Sequence, residues 1–168
     1  MKQTLKYIYD KLVELAKIAE AKYSITLALA SGVIVLGSAF IGSRQILVQI
    51  LASATIVLAL ISIIYGFVAL MARSINIRQK KSPKNKTNLM HFKTIIDFDE
   101  EGYLEALKSK YGFPANYKFD ELDRDLARSV IAQARVDNIK FAYFNLSLIF
   151  LIASVFSAVA MVIILGGL

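Results

Sequence analysis

Three long segments of this sequence contain no charged residue, and they constrain the fold more than any other feature. They are the 21 residues 23–43, the 28 residues 45–72 and the 28 residues 141–168. A helix rises about 1.5 Å per residue and needs about 20 apolar residues to cross the roughly 30 Å hydrocarbon core of a bilayer. Each segment is long enough, so the sequence predicts a membrane protein with three spanning helices.

The composition agrees with this class, because 57% of the 168 residues are hydrophobic and the mean hydropathy is +0.55. The predicted fold is an all-α membrane protein with three transmembrane helices, at 23–43, 46–72 and 141–166. An amphipathic helix at 1–22 precedes them. A small helical cytoplasmic region, 73–140, separates the second span from the third and is marginal in size for an independent core.

Basic residues predict the topology. Five of the 20 Lys and Arg precede the first span, Arg44 lies in the turn after it, and fourteen lie between Arg73 and Lys140. Lys and Arg that flank spans stay on the cytoplasmic side. We therefore expect the N-terminus and residues 73–140 to be cytoplasmic and the C-terminus to be outside.

The net charge of +7 comes largely from one cluster, since residues 73–93 contain seven basic residues and no acidic one. A basic cluster that directly follows a span ordinarily meets anionic lipid headgroups. The alternative is that some of these residues bind an anionic ligand. Neither interpretation requires a nucleic acid polymer.

Residues 2–22 have an apolar stripe with coiled-coil spacing, formed by Leu5, Ile8, Leu12, Leu15 and Ala19. The stripe is consistent with a helix on the membrane surface, with self-association, or with packing against the third helix; we favour helix-to-helix packing. No Gly or Pro interrupts the chain before the first span, so one helix is predicted from about Thr4 to about Ile41.

Two further helices are predicted from their capping residues. Asp99 opens a short helix that ends near Lys110, before Gly112 and Pro114. Asp120 opens a second helix, with an apolar stripe of Leu122, Leu126, Val130 and Ala134. Nothing in the sequence breaks this helix before Lys140, so it can continue through the third span to a length of more than 40 residues.

Small residues in the spans favour close helix packing, because packing drives helix association in lipid. Ala28 and Gly32 share one face of the first span, and the pairs Ala153–Ser157 and Ser154–Ala158 occur in the third. The uncharged segments argue against an ion-coupled transporter or pump, since intramembrane charges mark most ion pathways. The sequence is still compatible with a pore that several copies form together.

Candidate catalytic and metal-binding residues are sparse. The sequence has no cysteine and a single histidine, His91, and it contains no glycine-rich phosphate loop. Asp120 and Asp123 are better interpreted as a helix cap and its first turn than as metal ligands. We therefore expect no enzyme activity, no cofactor and no metal.

His91 and Phe92 can stack on a nucleobase, with Lys93 beside them. The alternative is that they pack against the long helices. Asp123, Arg124, Asp125, Arg128 and Arg135 fit a solvated, salt-bridged helix face.

With this layout, the chain resembles the transmembrane effectors of the bacterial pyrimidine-cyclase antiphage systems, the Pycsar effectors, from about Glu20 to Phe156. Five segments carry the resemblance: Glu20–Ser24 entering the first span, the basic Arg73–Arg78 leaving the second, Asn88–Phe92, the helix start Asp99–Leu104, and the Asp-rich helix from Asp123 to Lys140. The family often has Gly where Lys93 stands, and Pro after the arginine that leaves the second span, where this chain has none.

The resemblance implies an antiphage effector in the bacterial inner membrane, a multi-pass protein whose ligand is a cyclic pyrimidine mononucleotide, cCMP or cUMP, made by a partner cyclase. Sensing on the cytoplasmic side would lead to membrane disruption, by a homo-oligomer in the bilayer. The residues predicted to contact the ligand are Arg73, Arg78, Asn88, His91, Phe92, Tyr103, Arg124 and Arg128. The alternatives are a constitutive holin-like pore and a membrane scaffold protein without ligand gating.

Overall fold

The computed structural model describes residues 1–72 and 88–166. Within these residues the chain forms helices, turns and loops but no strand, which confirms the all-α prediction. The helices are α1 (Lys2–Ser38), α2 (Ile46–Leu70), α3 (Phe92–Ile95), α4 (Glu100–Lys110) and α5 (Glu121–Gly166). Most of the predicted basic cluster and its linker, residues 73–87, lies outside the described residues.

Three of the five helices, α1, α2 and α5, are long and apolar enough to cross a membrane. Their most apolar windows have mean hydropathies of 1.4, 2.5 and 3.0, respectively. α1 is unbroken at Lys22 and α5 is unbroken at Lys140. The predicted long helices are therefore continuous, with 37 residues in α1 and 46 in α5.

The chain divides into two compact units. Unit 1 consists of Met1–Ile18 and Ala72–Ile139, and unit 2 consists of Ala19–Met71 and Lys140–Leu168. α1 and α5 contribute residues to both units, because each helix passes through the boundary without a break.

The two predicted helix caps are present in unit 1. The Asp99 carboxylate accepts a hydrogen bond from the Gly102 backbone N–H at 2.8 Å and opens α4. Asp120 accepts from the Asp123 N–H at 2.9 Å, and Asp123 accepts in turn from the Asp120 N–H at 3.4 Å. This reciprocal pair satisfies backbone donors that the first turn of α5 would otherwise leave unpaired.

The buried stripe of α1 differs by one residue from the predicted heptad. Leu5, Ile8 and Leu12 are buried in unit 1, whereas Leu15 is 37% exposed and Ala16 is buried in its place. The step of four residues after Leu12 follows the 3.6-residue period of a straight helix rather than the 3.5-residue period of a supercoil. Burial of the stripe within unit 1 supports the helix-packing interpretation.

α5 shows a similar shift in unit 1. Val130 and Ala134 are buried as predicted, but Leu122 is 51% exposed. Asp123 and Ala127 are the buried residues of the first two turns, and the buried Asp123 carboxylate accepts hydrogen bonds from the Tyr117 hydroxyl and the Asp120 N–H.

In unit 2, α1 and α2 approach closely at Gly37. A β-carbon at this position would lie 2.9 Å from Ile56 Cγ1 and 3.2 Å from the Ala52 carbonyl oxygen. Gly32 has no atom within 4 Å of the same hypothetical carbon. The small-residue pair Ala28–Gly32 therefore lies on an exposed face of α1 and is not used for packing among the described residues of unit 2.

Candidate functional site

The predicted ligand residues that the structure describes lie in unit 1, in the segment 88–95, on α4 and on α5. Arg73 and Arg78 lie outside the described residues. Asn88 and His91 are exposed, whereas Phe92 and Tyr103 are buried.

The segment 88–93 forms a tight turn that leads into α3. The Asn88 side-chain oxygen accepts from the Met90 N–H at 3.0 Å, and His91 Nδ1 accepts from the Lys93 N–H at 3.3 Å. The His91 ring stacks on Phe92 with a centroid distance of 4.6 Å. Because Phe92 is only 8% exposed, the outer face of this aromatic pair belongs to His91.

Tyr103 holds this turn against α4. Its side chain is fully buried, and its hydroxyl donates a hydrogen bond to the Leu89 carbonyl oxygen at 2.8 Å. Burial raises the pKa of the Tyr103 hydroxyl above its ordinary value, so the group remains a protonated donor even at alkaline pH where an exposed tyrosine begins to ionise. Tyr103 therefore positions the 88–92 turn, and its buried ring does not offer a surface to a ligand.

Arg124 and Arg128 are both paired with carboxylates. Arg124 contacts Glu101 at 3.1 Å and Glu121 at 3.4 Å. Arg128 contacts Asp125 at 3.3 Å and also pairs with Glu100, which raises the pKa of the Arg128 guanidinium. These contacts join the first turn of α4 to α5, as the salt-bridged interpretation of this face predicts, and a ligand phosphate would have to displace them.

A concave site in unit 1 lies beside the turn, along α1. We call it the α1 groove. It has a volume of about 380 Å³, within the range typical of small-molecule sites. Its lining consists of Tyr7, Ile8, Lys11, Glu14, Leu15, Ile18 and Met90.

The exposed side chains of the α1 groove combine an aromatic face, a cation and apolar groups. Tyr7 is 52% exposed and Ile18 is 46% exposed. Lys11 forms an ion pair with Glu14 at 2.8 Å, and this pair raises the pKa of the lysine and lowers the pKa of the carboxyl. Both groups are charged at neutral pH. An anionic ligand could therefore replace Glu14 as the ion-pair partner of the Lys11 ammonium.

Sequence reasoning missed the α1 groove, although a signal was present. Tyr7, Leu15 and Ile18 are apolar residues on α1 that do not share the buried stripe. A helix that only packs on one side has polar residues on its other faces. The heptad interpretation assigns Leu15 to the buried stripe and gives no role to Tyr7 or Ile18, so it does not predict this second apolar surface of α1.

Among residues 1–72 and 88–166, no three His, Asp or Glu side chains are arranged to hold a metal ion. Asp120 and Asp123 are engaged in the α5 cap, and Tyr117 donates a hydrogen bond to Asp123 at 2.9 Å. The capping interpretation of these aspartates is therefore confirmed.

The sequence model of the Pycsar effector protein domain matches residues 4–167 of the 168. No curated protein and no solved structure matches the chain. The matched range includes every described helix except the first residues of α1, so the resemblance carried by Glu20–Ser24 and Asn88–Phe92 extends over nearly the whole chain. The chain belongs to the Pycsar effector protein family.

Proposed function

We propose that this protein is an antiphage effector that binds a cyclic pyrimidine nucleotide, cCMP or cUMP, and then disrupts the bacterial inner membrane. A partner cyclase supplies the nucleotide. The effector acts by binding rather than by catalysis, and several copies assemble in the bilayer. Unit 1 and the N-terminus face the cytoplasm, where the nucleotide is made.

The observation that carries this proposal is the family match over residues 4–167 of a chain with three membrane-spanning helices. The continuity of α1 and α5 supports the coupling of binding to membrane disruption. Both helices contribute to unit 1 and to unit 2, so a ligand that favours one arrangement of their unit 1 residues acts directly on helices that enter the membrane.

The α1 groove is the proposed nucleotide site. Tyr7 offers a flat aromatic face for the pyrimidine base, and base stacking of this kind contributes about 1–3 kcal/mol. Lys11 offers a cation for the cyclic phosphate. Met90 connects the groove to the turn that contains Asn88 and His91, two of the ligand residues predicted from the sequence.

Calorimetric titration of the full-length protein in detergent with cCMP and with cUMP tests this site. We expect Tyr7→Ala to weaken binding by about tenfold, in line with the stacking energy above. Lys11→Ala should weaken binding by about tenfold as well, because it removes a charge-assisted contact to the phosphate. Lys17→Ala is the matched control, because Lys17 is an exposed lysine of α1 that does not line the groove. Wild-type affinity in both groove variants would show that the nucleotide binds outside the α1 groove. If neither nucleotide binds to the wild type, the proposed ligand is wrong.

A further inference from the structure

A line of buried hydroxyl groups crosses the α2–α5 interface of unit 2. We call it the hydroxyl seam and define it by Thr55 and Ser62 on α2 and by Ser147, Ser154 and Ser157 on α5. Four of these residues are buried, and Ser157 is half-buried. They lie in the two most apolar helices of the chain, with mean hydropathies of 2.5 and 3.0.

The serines of the seam bond to the facing helix. Ser62 Oγ donates to the Ser147 carbonyl oxygen and Ser147 Oγ donates to the Ser62 carbonyl oxygen, each at 2.8 Å. Ser154 Oγ donates to the Thr55 carbonyl oxygen at 2.8 Å. The fourth contact, from Ser157 Oγ to the Leu51 carbonyl oxygen, measures 3.1 Å.

The contacts of the seam recur at matching intervals along both helices. Ser147 and Ser154 are seven residues apart on α5, and their partners Ser62 and Thr55 are seven residues apart on α2. From Ser147 to Ser157 the seam extends about 15 Å along α5, which is about half of the hydrocarbon thickness. A continuous polar line of this length is more than a single interhelical contact requires.

One hydroxyl of the seam is left without a partner. Thr55 Oγ1 is fully buried and has no hydrogen-bond partner among the described residues. An unpaired hydroxyl in a buried apolar interface is costly, and a water molecule that entered the seam would relieve that cost. The seam is therefore a polar surface whose hydrogen bonds water can replace and complete.

The seam ends at an apolar cluster. Val48 and Met161 lie past the Ser157–Leu51 contact on α2 and α5, and they are fully buried in one cluster with Ala52. Such an apolar constriction excludes water from an otherwise polar path. In the packed state the path is therefore closed at this end of the interface.

We propose that the hydroxyl seam is the path that water and small ions take through unit 2 when α2 and α5 separate. The Val48–Ala52–Met161 cluster closes the path in the resting protein. The inference rests on the proposed function, because it assigns the membrane disruption to one interface of the chain. Separation costs the four interhelical hydrogen bonds, but water can satisfy every group that they release.

A reversible disulfide between α2 and α5 tests this inference. The sequence contains no cysteine, so only the introduced residues can form the bond. The Oγ atoms of Ser62 and Ser147 lie 3.1 Å apart, so the two side chains face each other, and a local shift of about 1 Å brings paired cysteine sulfurs to the disulfide separation of about 2.05 Å. The full-length variant Ser62→Cys/Ser147→Cys is placed in liposomes, oxidised or reduced, and given cCMP or cUMP while potassium leak is recorded. We expect oxidation to abolish the leak of the double variant relative to its own reduced form, and to leave the leak of each single variant at the value of that variant's reduced form.

An oxidised double variant that leaks as fast as the reduced form would overturn the inference and leave the proposed function standing. A wild type that does not leak with either nucleotide contradicts the proposed function, and the inference then fails with it. Labelling provides a second readout that does not need a disulfide. We expect Thr55→Cys to react with a charged, water-soluble thiol reagent only in the presence of the nucleotide; a leaking protein whose Cys stays unlabelled would exclude the seam as the path.

Discussion

The Lys140 ammonium lies 2.5 Å from a carboxylate oxygen of Glu20, although 120 residues separate the two in sequence. The Lys140 side chain is only 8% exposed, whereas that of Glu20 is 49% exposed. The Tyr23 hydroxyl also donates a hydrogen bond to the Lys140 carbonyl oxygen. Within unit 2, α1 and α5 are thus joined where their uncharged segments begin, and the buried ammonium depends on one partner from α1.

Removal of that partner should destabilise the protein. Glu20→Gln leaves the Lys140 charge buried without a carboxylate, and we expect a loss of about 1–3 kcal/mol, reduced from a fully buried case because Glu20 is half exposed. Thermal unfolding in detergent measures the loss. The double variant Glu20→Gln/Lys140→Met removes both charges and should recover much of the stability. A double variant as unstable as the single one would show that the pair is not the cause.

Two glycines of α1 provide a matched comparison. Gly37→Ala places a methyl group 2.9 Å from Ile56 Cγ1 and 3.2 Å from a backbone oxygen, so the Ile56 side chain and the local packing of α1 on α2 must shift. We expect a cost of about 1–3 kcal/mol. Gly32→Ala meets no atom within 4 Å and should leave the unfolding midpoint unchanged or slightly raised. Equal midpoints for the two variants would contradict the close approach at Gly37.

A Gly32→Ala variant of normal stability that loses activity would instead place a second copy on the Ala28–Gly32 face.

The Tyr103 hydroxyl should matter for the turn that it holds. Tyr103→Phe keeps the buried ring but leaves the Leu89 carbonyl oxygen without its donor, at a cost of about 1–3 kcal/mol. Hydrogen exchange should show faster opening of residues 88–92, and nucleotide affinity should fall because Met90 lines the α1 groove. Tyr111→Phe is the control, since Tyr111 is an exposed tyrosine in the same unit. Unchanged exchange at 88–92 would contradict a positioning role for Tyr103.

The Lys2–Asp120 pair predicts an acid dependence of stability. Hydrogen bonding from Lys2, together with the Asp123 backbone N–H, holds the pKa of Asp120 below its ordinary value of 3.8. A carboxyl whose pKa is lowered by folding stabilises the protein above its unfolded pKa, and this contribution disappears as the pH falls through the folded pKa. We expect the difference in unfolding midpoint between wild type and Asp120→Asn to be constant from pH 7 to about pH 5 and to shrink below pH 4. A difference that does not change with pH would contradict the assignment.

The sequence predicts the fold well where a local property of the residues, such as charge or capping ability, is sufficient to determine the structure. Uncharged length determines the three spans, and short polar side chains determine the caps at Asp99 and Asp120, because both are local effects. The exact inward face of α1 was not predictable to one residue. Leu15 is more apolar than Ala16, but the 3.6-residue period turns Leu15 outward, and only the packed neighbours show which period applies.

The candidate site was less predictable from the sequence, because it depends on which charged side chains form ion pairs in the folded protein. Arg124 and Arg128 are equally suitable for a phosphate or for a carboxylate, and the structure pairs them with the acidic first turn of α4. The α1 groove joins Tyr7 to Met90 across more than eighty residues of sequence, and no local pattern reports such a contact. The same applies to the hydroxyl seam, because nothing in the local sequence indicates that Ser62 and Ser147, 85 residues apart, face each other.

The central claim is that a cyclic pyrimidine nucleotide triggers membrane disruption by this protein. Membrane potential in bacteria that express the protein, with and without a co-expressed pyrimidine cyclase, tests this claim most directly. We predict depolarisation only when the active cyclase is present, and none with a catalytically inactive cyclase. Depolarisation without the cyclase would instead establish a constitutive pore, and an unchanged potential with active cyclases for both cCMP and cUMP would contradict the account.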